Sequence, residues 1–214
     1  MTRSDIKNLE GKFPLIPNIL GKDEFFNSAV LIPLVEINGE LHFLFEKRAK
    51  NIRQGGEICF PGGEIEAEDS SIEKTVLRET LEEIGIDSDK IQLIGKLDTL
   101  IGPRGITVDS YLGILNIKIE DCKIDAAEVE KIFTVPVSYF EKNQPEEYTV
   151  VTKSKFCFYN SQGIEDSLIP DDASNNDSYF ENRRKVLVYK INGEIIWGIT
   201  ARLVYQIIQM LKKN

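Results

Sequence analysis

The sequence predicts an α+β domain built on a mixed sheet, and three observations predict it. Apolar runs of strand length recur along the chain. Two pairs of these runs are joined by Asn-Gly, at Asn38-Gly39 and Asn192-Gly193, the dipeptide most favoured in two-residue hairpins. Strands and helices are mixed without the regular alternation that a doubly wound parallel fold requires. No repeat and no linker divides the chain, so residues 1–27 are expected to form an N-terminal arm and residues 28–214 a single domain.

Taken in order, the arm is interrupted by Pro14 and Pro17, which break regular elements. Ser28–Glu36 (SAVLIPLVE) and Glu40–Lys47 (ELHFLFEK) read as the arms of the first hairpin. A polar stretch follows, with Arg48, Lys50 and Arg53 close together. It is either a solvated loop or a contact for a phosphate. Ile58–Phe60 then runs into Pro61-Gly62-Gly63, where glycine allows a sharp turn and close approach of a ligand to the main chain. Ser70 with Glu73 reads as a capping box that starts a helix, and Gly85 is placed to end it in a left-handed cap. Ile72, Val76, Leu77, Thr80, Leu81 and Ile84 should cover one side of this helix, and Glu79, Glu82 and Glu83 the other.

Ile91–Ile101 and Ile106–Leu115 read as strands joined by Gly102-Pro103-Arg104-Gly105. Glu128–Val135 leads to Pro136 and a short helix near Ser138–Lys142, and Glu147–Tyr159 alternates as a strand does. Glu165–Arg184, rich in Asp, Asn and Ser, is expected to be a long exposed loop. Val186–Ile191 and Glu194–Trp197 form the second hairpin, and Thr200–Lys212 an amphipathic helix with Leu203, Ile207, Ile208 and Leu211 on its apolar face.

Composition narrows the function. The 214 residues are 42% hydrophobic and 29% charged, with a net charge of −9. No basic stripe is available to neutralise a nucleic acid. Three widely spaced cysteines and one histidine, His42, argue against a disulfide framework, a zinc site or a Ser-His-Asp triad. No apolar run reaches the roughly 20 residues of a membrane helix. The first residues lack the apolar core of a secretory leader, so the expected location is the cytoplasm, and the expected assembly a monomer or homodimer. The acids of the central helix carry the chemistry. Glu79, Glu82 and Glu83 lie three and four residues apart, which brings three carboxylates to one helical face. Alone they repel one another. A hard divalent cation such as Mg²⁺ converts that repulsion into binding.

Arg78-Glu79-Thr80-Leu81-Glu82-Glu83-Ile84-Gly85-Ile86, behind the Gly62-Gly63 loop, resembles the Nudix box, whose second half reads R-E-U-x-E-E-x-G-U with U a bulky apolar residue. Thr80 is the soft match. The interval from Gly63 to Arg78 is one residue longer than in the family pattern, so Asp69 or Glu68 stands near the family's first glutamate. A narrower resemblance precedes the box. Arg48-Ala49, and Gly56-Glu57-Ile58-Cys59-Phe60-Pro61-Gly62-Gly63, look like the signature of the coenzyme A (CoA) diphosphatase branch, where the extra loop residue is also common. Glu128-Val129 with Phe133 and Pro136, and Ile196–Ala201, resemble that branch's downstream pattern. Glu46 stands where the signature usually has Thr, and Gln54 where His is common.

The resemblance implies a Nudix-type α/β/α sandwich with a mixed central sheet, and metal-dependent hydrolysis of a diphosphate bond in CoA or its derivatives. The products would be 4′-phosphopantetheine and adenosine 3′,5′-bisphosphate. It implies Mg²⁺ or Mn²⁺ on Glu79, Glu82 and Glu83, and substrate contacts from Arg48, Arg53, Gly62 and Gly63. Glu128 is the choice for a general base, with Glu82 its competitor. Arg78 would be structural, pairing with an acid of the preceding loop, as would Ser70 and Gly85. Two alternatives stay open: a Nudix hydrolase of another nucleoside diphosphate derivative, such as ADP-ribose or an ADP-sugar, and a non-catalytic nucleotide-binding module.

Overall fold

In the computed structural model, residues 18–103, 105–154, 157–166 and 180–212 are described. The strands run in the order β1 (Phe26–Ile37), β2 (Glu40–Arg48), β3 (Ile58–Cys59) and β4 (Gly62–Glu64), and then comes helix α1 (Ile72–Ile84). After it come β5 (Ile91–Lys96), β6 (Leu100–Gly102), β7 (Ile106–Leu115), β8 (Val129–Pro136) and helix α2 (Val137–Lys142). The chain continues through β9 (Glu146–Ser154), β10 (Phe158–Tyr159), β11 (Glu165–Asp166), β12 (Phe180–Ile191), β13 (Glu194–Trp197) and helix α3 (Gly198–Leu211). Among the described residues, no helix is long and apolar enough to cross a membrane. The chain divides into two compact units. The first comprises the residues up to Glu36 and Phe60–Ala126, the second Ile37–Cys59 and Ala127–Asn214.

In the first unit β1 is the organising strand. Its apolar run buries Ala29, Leu31, Ile32 and Val35, as a strand covered on both faces must. β7 pairs with it in parallel, from Phe26↔Ile106 to Val35↔Leu115. A parallel neighbour needs a long crossover, and α1 lies in the stretch that connects the two. β4 pairs antiparallel with β1, and β5 and β6 pair antiparallel with β7. The sheet is therefore mixed, and the α+β class expected from the sequence is the one found.

In the second unit β2 pairs antiparallel with β8 and, at its end, with β3. A three-stranded sheet is ordered β13-β12-β9. Phe43 and Phe45 of β2 are fully buried with Phe140 of α2, which meets the Tyr189 ring edge-on at 4.9 Å. α3 buries Leu203, Ile207 and Ile208 as its periodicity predicts, together with Ala201 and Val204, whereas Leu211, expected on the same face, is exposed at the helix end. Both Asn-Gly pairs form tight turns with Asn and Gly in left-handed conformations, as a hairpin that follows strand twist demands.

Several boundaries differ from expectation. The strand expected over Ile91–Ile101 is divided into β5 and β6, and that over Glu147–Tyr159 into β9, which pairs with β12, and β10, which pairs with β11. β1 starts at Phe26 rather than Ser28, since Phe26 already pairs with Ile106. The stretch 165–184 is not all loop. Glu165–Asp166 pairs with Phe158–Tyr159, and β12 begins at Phe180, pairing with β9 from Phe180↔Ser154 onward. Glu181–Lys185 is exposed, so it carries no apolar alternation to reveal the strand; backbone pairing alone defines it. Residues 167–179 lie outside the described residues.

Candidate active site

The loop that carries the two glycines is pinned to β1 by main-chain contacts. The Leu31 N–H donates to the Pro61 carbonyl at 2.9 Å, and the Ile65 N–H to the Asn27 carbonyl at 2.9 Å. No side chain fits at Gly62, where a Cβ would lie 2.3 Å from the Ala29 carbonyl oxygen. At Gly63 the missing side chain makes room for a functional group, because a Cβ there would lie 2.5 Å from Glu79 Oε1. The loop is thus a flat cradle of main chain with the Glu79 carboxylate seated on it.

α1 starts at Ile72, and its cap is Ser71 rather than Ser70. Ser71 Oγ accepts from the Lys74 N–H at 3.4 Å. The reason lies upstream: Glu66–Asp69 closes into a turn, with the Asp69 N–H donating to the Glu66 carbonyl and the Glu66 N–H to Asp69 Oδ2, both at 3.1 Å. Ser70 is consumed in the link, and the helix begins one residue later. Gly85 ends it as expected, at φ 70°, with its N–H donating to the Leu81 carbonyl. The terminal carbonyls of Glu83 and Ile84 accept from the N–H groups of Asp125 and Lys123, so the end that carries the acids is held fast.

The helix face also differs from the expected one. Thr75, Val76, Thr80, Glu83 and Ile84 are buried, while Leu81 is 46% exposed. Glu83, expected on the acidic face, is only 2% exposed. Its Oε2 accepts the Gly62 N–H at 2.8 Å. The Gly62 N–H, at the first residue of β4, takes its acceptor from this side chain, and the need of a main-chain N–H for an acceptor draws a carboxylate inward in place of a leucine. Glu82 remains exposed and Glu79 half-buried.

Arg78 ties these parts together. Its Nε and Nη2 donate to the two oxygens of Asp69 at 3.2 and 2.9 Å, the bidentate geometry that a guanidinium favours. Nη2 also donates to the Glu64 carbonyl at 3.1 Å. Nη1 donates to Glu79 at 2.7 Å and to Glu82 at 3.1 Å. The loop acid that Arg78 was expected to pair with is therefore chiefly Asp69, which also accepts from Thr75 Oγ1, with Glu66 Oε1 farther off at 3.8 Å. The hydrogen bond from Arg78 leads the causes that push the Asp69 carboxyl down to about 2 from its ordinary 3.8. A depressed carboxylate stabilises the fold above its unfolded pKa, and that contribution disappears as pH falls through the folded one. Asp69→Asn should therefore cost about 2 kcal/mol near neutral pH, and the difference from wild type should close between about pH 4 and pH 2. Urea unfolding at stepped pH measures this; parallel curves for both proteins across that window would show that the pair contributes nothing.

In the second unit, Arg48, Arg53 and Glu128 gather around one loop. Arg48 Nε donates to the Arg53 carbonyl at 3.2 Å, and the Ala49 N–H to the Glu128 carbonyl at 2.8 Å. The Arg48 amide and carbonyl clamp the loop ends through Glu57 and Gly56. The Glu128 side chain is exposed. Burial raises the Glu57 carboxyl above its ordinary range, and the Arg48 charge opposes that.

Within the first unit, then, Gly62, Gly63, Arg78, Glu79, Glu82 and Glu83 come together. Among the described residues, no three His, Cys, Asp or Glu side chains are grouped so as to hold a metal ion. The donor chemistry nonetheless suits a hard cation: carboxylate oxygens, too few to complete its shell. Mg²⁺ is bound in this way, by one or two carboxylates with water and substrate phosphate supplying the remainder. Sequence reasoning missed the buried Asp109 with Lys22 and Lys96. The available signal was an Asp-Ser pair inside the otherwise apolar strand Ile106–Leu115.

The NUDIX domain matches residues 26–153. Nudix hydrolase 3 of Caenorhabditis elegans is 27% identical over 201 residues, covering 91% of this chain and 78% of that protein. Peroxisomal coenzyme A diphosphatase NUDT7 of Mus musculus is 32% identical over 113 residues, 52% of this chain and 48% of the relative. Mitochondrial coenzyme A diphosphatase NUDT8 of Homo sapiens is 29% identical over 126 residues, 58% of this chain and 53% of the relative. The matched stretch spans about half the length of these two relatives.

Proposed function

The chain belongs to the Nudix family, and from that premise we propose that it is a metal-dependent diphosphatase of CoA or its derivatives. One observation carries the reading. The segment Gly56–Gly63, with its CoA diphosphatase-like pattern, leads directly into the cradle on which Glu79 and Glu83 are seated. Similarity to two coenzyme A diphosphatases supports the substrate class.

Nudix hydrolases generally use divalent cations. Glu79, Glu82 and Glu83 would hold Mg²⁺ or Mn²⁺, which when bound neutralises the diphosphate and lowers the pKa of a coordinated water. The chain's own residues do the rest. The Gly62 amide orients Glu83. Arg78, anchored on Asp69, keeps the Glu79 and Glu82 carboxylates together while the site is empty of substrate. Gly63, by lacking a side chain, leaves room for the Glu79 carboxylate against the main chain, and Gly62, Arg48 and Arg53 are the further candidates for substrate contact. Glu128, or else Glu82, takes the proton of the attacking water. The water oxygen bonds to one phosphorus, the bridging P–O bond breaks, and the bridging oxygen leaves with the other phosphate. Residues 28–214 would act as one hydrolase domain.

Product analysis by mass tests this, with CoA, ADP-ribose and NADH as substrates and Mg²⁺ or Mn²⁺ present. The expected result is 4′-phosphopantetheine and adenosine 3′,5′-bisphosphate from CoA, with kcat/KM at least about tenfold above the other two, the discrimination that a charged contact supplies. Cleavage of ADP-ribose with CoA untouched would overturn the CoA assignment and leave a Nudix hydrolase of another nucleoside diphosphate. Binding of all three without turnover would overturn catalysis itself.

A further inference from the structure

Asp109, on β7, is fully buried and yet bears two cations. Lys22 Nζ stands 3.0 Å from its Oδ2 and Lys96 Nζ 2.9 Å from its Oδ1, and Thr99 Oγ1 donates to Oδ1 as well. A buried carboxylate requires compensation, but one ammonium and one hydroxyl would supply it. The second lysine leaves the cluster with a net positive charge, in a chain whose net charge is −9. The anion lies inside, while the cations reach outward: the Lys22 and Lys96 side chains are 23% and 35% exposed.

The cluster is also held rigidly. Lys22 opens a 3₁₀ turn, Lys22–Glu24, behind Gly21 at φ 73°. Asn27 Nδ2 donates to the carbonyls of Lys22 and Phe25, and Asn27 Oδ1 accepts from Thr107 Oγ1. Each Lys can donate three hydrogen bonds, so donors remain on both after Asp109 is satisfied.

Its place on the sheet relates it to the acidic helix. Ala29 is the partner of Gly63 on one side and of Asp109 on the other. Directly paired residues share a face of the sheet, and the missing side chain of Gly63 points at Glu79. Asp109 therefore rises from the face that α1 covers. Tyr111, two residues further along, confirms the parity by donating its hydroxyl to Glu73 of α1 at 3.1 Å. Two strand spacings put Asp109 about 10 Å from Gly63.

We propose that Lys22 and Lys96, braced on Asp109, form a subsite for a phosphate monoester carried by the substrate in addition to its scissile diphosphate. This rests on the CoA reading, because CoA carries a 3′-phosphate on the ribose whose 5′ oxygen bears the diphosphate. The lysines distinguish such a substrate from nucleoside diphosphates that lack the monoester, and they take no part in the chemical step.

The test compares CoA with dephospho-CoA, which differs only in lacking the 3′-phosphate, for wild type, Lys22→Gln and Lys96→Gln. Each variant should raise KM for CoA about tenfold, the worth of a charge-assisted hydrogen bond. The kcat for CoA and both constants for dephospho-CoA should be unchanged, and Lys96→Arg should restore most of the loss. Equal effects on the two substrates, or none on either, would overturn the subsite. If wild type cleaves neither, the CoA reading has failed, and the subsite is judged by calorimetry with adenosine 3′,5′-bisphosphate against AMP. Tighter binding of the bisphosphate to wild type but not to the variants sustains it, and equal binding by all three proteins overturns it.

Discussion

Glu83→Gln should lower kcat for CoA by on the order of 10³-fold, the loss typical of removing one preorganised electrostatic group, with little change in thermal stability. The two halves of this expectation have separate origins. Glu83 is buried, and its Oε2 accepts the Gly62 N–H at 2.8 Å. Glutamine has the same shape and can offer its carbonyl oxygen to that amide, so the loop stays docked and the fold is kept. What glutamine lacks is the charge and the second anionic oxygen that a divalent cation requires. Glu82→Gln is the internal comparison. Glu82 lies on the surface, and its contact with Arg78 Nη1 is an exposed i,i+4 pair, of a kind worth well under 1 kcal/mol. Any loss of kcat in that variant therefore reports on chemistry rather than on structure. Steady-state kinetics at saturating Mg²⁺, with melting curves for each protein, gives both quantities. A Glu83→Gln protein as active as wild type would remove Glu83 from the metal site.

How much of this site is legible in the sequence depends on the range of the interaction that sets each feature. The carboxylate spacing, Gly85 and the two Asn-Gly turns follow from helical periodicity and from backbone conformations that few residues adopt, so a short window contains the whole cause. The cap is harder. Ser70 and Ser71 are equivalent as caps, and the choice is made by the Asp69 turn, whose carboxylate answers to Thr75 and Arg78. The burial of Glu83 is harder again. Any apolar ranking puts Leu81 inside before a glutamate, and only the Gly62 amide, 21 residues away in sequence, reverses the order. Asp109 and Lys22 are separated by 87 residues, so nothing local to either one announces the pair. The start of β12 is silent for a different reason. Glu181–Lys185 is exposed on both faces, and a strand without a buried face leaves no pattern to read.

The two glycines of the cradle should separate structure from chemistry when each is replaced by alanine. At Gly62 the added Cβ would lie 2.3 Å from the Ala29 carbonyl oxygen and 2.6 Å from Val30 Cα. Both are main-chain atoms of β1, which is held along its length by parallel pairing with β7 and cannot retreat. The backbone at Gly62, φ 154°, is also one that side-chain-bearing residues rarely adopt. Gly62→Ala should cost about 2–3 kcal/mol, the range for overpacking a rigid site, and lower the melting temperature by about 5 °C or more. At Gly63 the Cβ would instead meet the Glu79 carboxylate, at 2.5 and 2.6 Å. That group is the free end of a side chain and can swing aside, at the expense of its 2.7 Å contact with Arg78. Gly63→Ala should therefore melt within about 2 °C of wild type, the shift expected from losing a single partly exposed ion pair. Its kcat should fall on the order of 10²-fold, because a displacement of about 1 Å in a positioned group is enough for that loss. Melting curves and kinetics on the two variants decide the matter. A stable Gly62→Ala protein would mean that β1 yields where its pairing says it cannot, and a fully active Gly63→Ala protein would mean that the Glu79 carboxylate does its work somewhere other than on the Gly63 main chain.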